Sequence, residues 1–283
     1  MLKIADSAFV PNASERLAME ANTLSNMVDS VVAFLPSIFS GVASTFSGFN
    51  KVSDEVKFAG NTAIDNLTRR ENNLLAELAR TEFDDMTNFG VPVGVGFKGN
   101  LIDYADTVSR LQTYYQEDTA KHLQEFYVYM SVLVSNKDAR LSLKDQSRVY
   151  KGIETERKQF DAELQSFFGT SQSNTVQYTK GAKSHIEFGS YLSKLTSICR
   201  IDDKRSRQAV SDLIEKISVV CDTLIKQAKD GTITNLTPEV TKNIHEGMLT
   251  MAKLVESYGL FLHRRTELVA SREQLIEKLE KRL

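Results

Sequence analysis

The chain has 283 residues, of which 41% are hydrophobic, so it can bury a substantial core in one large domain or two smaller ones. Basic and acidic residues nearly balance, 35 against 37, which gives a formal net charge of −2. This balance argues against a dedicated nucleic-acid-binding protein, because such proteins usually carry a basic excess. It leaves only local basic patches for nucleic-acid contacts.

The distribution of proline favours long helices. The chain has four prolines, and none of them lies between residues 93 and 237. Because proline breaks helix interiors, this gap permits several long helices in series. We therefore predict an all-α protein, an elongated bundle of helices of roughly 25 to 45 residues each. In this prediction, residues 51–283 form the bundle, and residues 1–50 form an N-terminal segment that contacts an assembly or a membrane and includes a separate uncharged helix at 30–49.

Helical patterns recur along the chain, with polar or glycine-rich loops between them. Outside the uncharged segment, helices are predicted at 13–28, 52–88, 101–133, 143–168, 176–200, 204–229 and from 238 to near 283, with loops near 89–100, 169–175 and 230–237. Thr237 and Pro238 supply an N-cap and a proline at the first helical position of the last helix. Its final part, residues 266–283, has a narrow apolar stripe that is typical of a coiled-coil-like end, and we predict that it makes subunit contacts.

The stretch Gly-Val-Gly-Phe-Lys-Gly at residues 94–99 matches G-x-G-x-x-G, the fingerprint of dinucleotide binding. That fingerprint requires a strand before the loop and a βαβ unit around it. Here we predict that Gly90, reinforced by Pro92, ends a helix. Residues 91–95 are a weak strand candidate, and no alternation is long enough to predict a sheet. The loop is interpreted as a connector between helices, and no nucleotide or other cofactor is predicted.

Residues 30–49 carry no charge and contain five serines and Pro36. Their length would suffice to span a bilayer. Plotted as a helix, the segment has two faces. The small, weakly polar face consists of Ser37, Ser40, Ser44 and Ser47. The apolar face, which is the predicted interaction surface, consists of Val31, Leu35, Ile38, Val42, Phe46 and Phe49.

Several interpretations of this segment are open. Small residues let helices approach closely, either in lipid or in a protein assembly. The favoured interpretation is a buried or interfacial helix in a protein assembly. A membrane-inserting amphipathic segment, a transmembrane anchor and an irregular packed loop are the alternatives.

Basic residues cluster at three places. The first cluster has spacings of i, i+4, i+8 and i+11 and predicts a basic ridge on one helix face; it consists of Arg140, Lys144, Arg148 and Lys151. The others lie near 200–207 and at 263–265. Solvated helix faces are the favoured explanation. Contacts with nucleic acid, anionic lipid or an acidic partner subunit are the alternatives.

No motif in the sequence carries catalytic chemistry. The four histidines are far apart and lack metal-ligand spacing. Cys199 and Cys221 lie among apolar residues and are expected to be buried thiols in a reducing compartment. We predict no enzymatic activity, metal or small-molecule substrate. Residues 1–29 lack the basic start and apolar run of a secretory signal.

Four features characterise the chain: long helices, a near-neutral charge, the uncharged segment from Ser30 to Phe49 and the glycine-valine loop from Gly90 to Gly99. In these features the chain resembles virion structural proteins of tailed bacteriophages. The resemblance is one of general character, without a diagnostic motif. It implies a head, neck, tail or internal protein that contacts other copies of itself and other subunits, in a virion assembled in the host cytoplasm. The chain is also similar to membrane-bending BAR-type helical proteins and to helical pore-forming proteins, which imply membrane contact through residues 30–49.

Overall fold

The computed structural model describes residues 41–51, 61–80, 89–94, 96–135, 143–168, 174–178, 182–200, 203–233 and 235–282. The predicted helix at 13–28 lies outside these residues. So do four of the predicted interaction residues, Val31, Leu35, Ile38 and Arg140.

The described residues form helices and two short strands. In chain order these are α1 (41–51), α2 (Asn61–Arg80), β1 (Phe89–Val93), α3 (Leu101–Thr113), a π-helical turn (Tyr114–Asp118), α4 (Thr119–Val134), α5 (Leu143–Phe168), β2 (Asn174–Tyr178), α6 (Ala182–Arg200), α7 (Asp203–Lys229) and α8 (Pro238–Glu280). The all-α class is confirmed. At 1.5 Å per residue, the 43 residues of α8 extend for about 65 Å.

The helices pack in pairs around one continuous core. Helix α3 packs on α6, α4 on α7, and α5 on α8, while α2 contacts both α6 and α8. The N-cap predicted from the sequence is present, because Thr237 Oγ1 accepts a hydrogen bond from the Val240 amide at 3.2 Å. Helix α8 contacts most of the other helices and positions the surfaces discussed below.

The π-helical turn interrupts the long helix predicted at 101–133. It turns two consecutive tyrosines, Tyr114 and Tyr115, into the core, where Tyr114 stacks on Phe160 and Tyr115 stacks on Phe261. Ser206 Oγ on α7 donates to the carbonyl of Gln116 at 3.4 Å. A π turn is often found at a functional position in a helix, and here it aims Tyr115 at α5 and α8.

A two-stranded antiparallel sheet corrects the prediction that the chain contains no sheet. Strand β1 pairs with β2 so that Phe89 lies opposite Tyr178. Their rings stack at 4.5 Å, and both rings contact Phe188. The predicted loops at 89–100 and 169–175 and the predicted helix start at 176 are therefore wrong where they overlap these strands. Cross-strand aromatic packing, which local patterns do not reveal, decides the conformation.

The glycine-rich loop joins a strand to a helix, and not two helices as predicted. Gly90 lies within β1, where an added Cβ would approach Thr175 Cβ to 2.9 Å. The Gly96 amide donates to the Ser166 carbonyl at 3.0 Å, and a Cβ on Gly96 would lie 1.9 Å from Ser166 Oγ. The Asn100 amide bonds Asp103 Oδ2 at the start of α3. Close packing therefore explains why Gly90 and Gly96 are glycines. The amides of Gly96 and Asn100 donate hydrogen bonds to oxygen atoms of the same chain.

The described part of the predicted N-terminal segment is not separate from the bundle. Val42, Phe46 and Phe49 on α1 belong to the same core as the long helices. The boundary predicted at residue 50 therefore falls within α1, and residues 41–50 pack with the bundle. The reason is tertiary: the apolar face of α1 is buried in this core, and Phe49 packs beside Tyr258 of α8.

The coiled-coil-like end of α8 also packs within the chain. Its buried apolar side chains, Leu268, Leu275, Ile276 and Leu279, belong to the common core. This part of α8 contacts α2, where Arg70 bonds Glu280. The apolar stripe that was predicted to join subunits at 266–283 is therefore covered by the same chain.

Candidate interaction site

Helix α1 contributes three apolar side chains to the core, and one of them, Phe49, contacts α8. Val42, Phe46 and Phe49 are spaced so that they share one helix face, and all three are buried. The Phe49 ring lies 5.4 Å from the Tyr258 ring, and an added Cβ at Gly259 would lie 3.8 Å from Phe49 Cδ2. The middle of α8 thus offers an aromatic, glycine-containing surface that receives α1.

The outward face of α1 consists of small, uncharged residues. The exposed positions before Asn50 are Gly41, Ala43, Ser44, Ser47 and Gly48. The two faces predicted from the sequence are present on α1, but the apolar face is turned inward. The face presented to solvent is the small one.

An open cleft of about 990 Å³ lies beside this contact, between α1, α5 and α8. Thr45, Gly48 and Phe49 line it from α1, and Leu260 and His263 line it from α8. Leu260 is 38% exposed, which is high for a leucine of a core helix. Helix α1 therefore contacts α8, while the open cleft lies between α1 and α5.

A polar network lines the cleft on the side of α5. Asp161 accepts hydrogen bonds from Tyr115 Oη at 2.8 Å, from Ser257 Oγ at 2.9 Å and from Arg157 Nη1. Arg157 Nη1 also lies 3.4 Å from Ser257 Oγ. This network joins the π-helical turn, α5 and α8, and it uses no atom of α1.

Burial sets the protonation of Tyr115 at the cleft and of Cys221 on α7. Burial and the neighbouring Asp161 carboxylate raise the pKa of Tyr115, which therefore remains a hydrogen-bond donor at neutral pH. Burial, together with the Asp222 carboxylate, raises the pKa of the Cys221 thiol. Cys221 is buried and unpaired by disulfide, as the sequence predicted, while the side chain of Cys199 lies outside the described ones.

The structure describes half of the predicted basic ridge. Arg148 and Lys151 are exposed on α5, whereas the side chain of Lys144 lies outside the described ones. The cluster at 263–265 is not the solvated basic face that was favoured for it, because Arg265 is buried. Arg264 forms an ion pair with Glu267 at 2.8 Å.

Sequence reasoning missed the network of Tyr115, Arg157, Asp161 and Ser257. The available signal was the i, i+4 spacing of Arg157 and Asp161, which is common on solvated helices and does not indicate burial. Within the described ranges, no cluster of histidine, cysteine, aspartate and glutamate side chains is arranged to hold a metal ion. The satisfied hydrogen bonds of Asp161 indicate a structural role that fixes α5 to α8.

Among the described helices, none combines the length and the apolar content needed to cross a bilayer. Comparison of the chain with protein-family models, with curated proteins and with solved structures finds no match.

Proposed function

We propose that this protein is a non-enzymatic structural component of a multi-subunit particle, a phage virion part such as a head, neck, tail or internal protein. It acts through helix–helix contacts with other copies of itself and with other subunits. The observation that supports this proposal is the outward face of α1, which is exposed, uncharged and built from small residues.

This outward face suits close contact with another helix. Gly41, Ser44 and Gly48 fall on one side of α1, because residues three, four and seven apart share a helix face. Glycine lowers helix stability by about 1 kcal/mol relative to alanine, and a Cβ at Gly41 or Gly48 would meet no atom within 4 Å. Packing within the described chain therefore does not require these glycines. Close approach of a helix from another subunit supplies a reason for them.

The second candidate is a membrane-active protein, pore-forming or BAR-like, in which the region around α1 lies on or enters a bilayer. The observation that favours it is the amphipathic character of α1, which has no charge before Lys51. Insertion would require Val42, Phe46 and Phe49 to leave the core, whereas a contact at the small face requires no rearrangement. The assembly proposal is preferred for this reason.

A lysine on the outward face tests the assembly proposal. Ser44→Lys adds a long charged side chain at an exposed position and leaves the apolar face intact, so the fold is retained. We expect the wild type to form a defined oligomer in size-exclusion chromatography with light scattering, and Ser44→Lys to shift it towards the monomer. Phe46→Asp would be a poor test, because it places a carboxylate in the core.

The matched control is Ser109→Lys, at an exposed serine of α3, which should assemble like the wild type. An unchanged oligomer in Ser44→Lys would contradict contact through this face. The same samples are mixed with anionic and neutral liposomes. A monomeric wild type that floats with liposomes would support the membrane-active candidate instead.

A further inference from the structure

A second groove lies between α4 and α5. Helix α4 packs mainly on α7 and α5 mainly on α8, and a groove of about 430 Å³ remains between them. Val128 on α4 and Val149 on α5 line it and are 48% and 44% exposed. The volume falls within the range of about 300–1,000 Å³ that is usual for small-molecule sites.

The buried part of the groove lining is aromatic. Phe126, Tyr129 and Tyr150 line the groove, and all three side chains are buried. The rings of Phe126 and Tyr150 meet edge to face, with their centroids 6.2 Å apart. An added Cβ at Gly247 of α8 would lie 2.5 Å from Phe126 Cε2 and 2.9 Å from Tyr150 Oη. Glycine at position 247 therefore lets both rings pack against α8.

The hydroxyl groups of Tyr129 and Tyr150 are buried, and neither has a hydrogen-bond partner among the residues that the structure describes. Burial of a hydroxyl group without a partner is unfavourable. Burial raises the pKa of Tyr129 to about 12. Burial also raises the pKa of Tyr150, with smaller contributions from Tyr129 and Glu246. Both hydroxyl groups therefore stay protonated at neutral pH and can donate hydrogen bonds.

The charges at the groove do not favour an anion. The Glu125 carboxylate lines it and pairs with His122 at 3.4 Å. Among the described residues of the lining, none is a lysine or an arginine. A negatively charged ligand would therefore be repelled by Glu125 without gaining a lysine or arginine as its partner. An uncharged oxygen atom is the acceptor that suits the two tyrosine hydroxyl groups.

We propose that this groove binds an uncharged, apolar molecule with a carbonyl oxygen, which accepts hydrogen bonds from Tyr129 and Tyr150. Val128 and Val149 contact its apolar part. The two hydroxyl oxygens have almost no accessible surface, so binding includes a small rotation of the tyrosine side chains, as is common when partners bind. The inference does not rest on the proposed assembly function, and the ligand undergoes no chemical change.

Benzophenone is the probe, because it is uncharged and apolar, has one carbonyl oxygen and bonds covalently to nearby C–H groups on irradiation. The full-length protein is irradiated with increasing benzophenone, and labelled peptides are identified by mass spectrometry. We expect saturable labelling within α4, within α5 or at Met251 of α8, which also lines the groove. The double variant Tyr129→Phe with Tyr150→Phe keeps both rings and should raise the half-saturating concentration about ten-fold.

The matched control is Tyr127→Phe, the same change on α4 outside the groove lining, which should be labelled like the wild type. The anionic analogue 4-benzoylbenzoate should bind about three-fold more weakly or worse than benzophenone. Without probe, the double variant should melt at or above the temperature of the wild type, because neither hydroxyl group has a described partner.

Three results would overturn the proposal. The first is labelling that does not saturate at the groove, and the second is an unchanged half-saturating concentration in the double variant. The third is a melting temperature of the double variant below that of the wild type, which would show that the hydroxyl groups are bonded within the protein. None of these results bears on the oligomeric state, so the assembly proposal is tested separately.

Discussion

Two elements attach to α8 by different chemistry. In the middle of α8, helix α1 is held by apolar side chains beside an open cleft. Near its C-terminal end, α2 and α6 are held by a buried ion pair, in which Arg272 on α8 bonds Glu71 on α2 through two nitrogens and also bonds Thr196 on α6. Thr196 Oγ1 also donates to Glu71 at 3.2 Å.

The two attachments differ in how strongly they depend on the relative orientation of the groups in contact. Apolar burial is nearly non-directional, so an apolar seat accepts any partner of the right shape. A buried ion pair fixes one arrangement, because a charge that is left without its partner in the interior is strongly destabilising. The α2–α8 contact therefore fixes the relative orientation of these two helices, whereas burial of the α1 side chains depends mainly on the shape of the surface that receives them.

The largest expected effect comes from breaking the buried ion pair. Arg272→Met leaves the Glu71 carboxylate buried without its cation, which should lower the free energy of unfolding by about 3–5 kcal/mol. Chemical denaturation followed by circular dichroism measures the change. The double variant Glu71→Leu with Arg272→Met removes both charges and should recover most of the loss. If the single variant is as stable as the double variant, the pair does not hold α2 to α8.

A smaller effect is expected at the seat of α1. Phe49→Ala removes the ring that contacts Tyr258 and should lower the free energy of unfolding by about 3 kcal/mol, the lower end for phenylalanine-to-alanine changes, because the adjoining cleft lets the site relax. Hydrogen exchange should accelerate within 41–51 and stay unchanged in α2. The control is Leu260→Ala at the same cleft, which should cost less than about 1 kcal/mol. Acceleration spread evenly over the bundle would contradict a locally attached α1.

The smallest effect is expected at the exposed ion pair between Arg70 and Glu280, whose side chains are 39% and 38% exposed. The hydrogen bond from Arg70 lowers the pKa of Glu280. The stabilisation is therefore present above the unfolded-state pKa of about 4.3 and is lost as pH falls through the lower folded-state value. Solvent screening limits it to about 0.2–1 kcal/mol.

Arg70→Gln tests this assignment by comparison of unfolding free energies at pH 7 and pH 3. The free energy of unfolding of the wild type should exceed that of the variant at pH 7 and equal it at pH 3. High salt should narrow the difference at pH 7. Arg69→Gln, at an exposed neighbouring position, should show no such pH dependence. A difference that persists at pH 3 would assign the effect to packing of the Arg70 stem.

Sequence patterns were sufficient for the long helices of the second half of the chain. Helix α5 matches its predicted bounds, and α7 and α8 agree within a few residues, because long apolar stripes and the Thr237 cap are local signals. Strand β1 was indicated only by the weak candidate at 91–95, and β2 was missed, for the opposite reason. Their five-residue segments become strands only by pairing with each other, across 80 intervening residues.

Only part of the candidate site could be predicted from the sequence. Alternating apolar and small faces in α1 follow from helical periodicity, and the sequence identified both. Which face meets the bundle was not determined, because that depends on the complementary surface around Tyr258 on another helix. The role of Asp161 was equally hidden, since its hydrogen bonds come from three distant parts of the chain.

The sequence by itself determined the all-α class, the positions of the long helices and the two-faced character of α1, because these follow from periodicity and capping within a few turns. Only the tertiary structure decided that the apolar face of α1 is buried, that Arg272 pairs with Glu71 in the interior and that the glycine loop packs on α5. These outcomes depend on contacts between residues far apart in the chain, whose energies no local pattern contains.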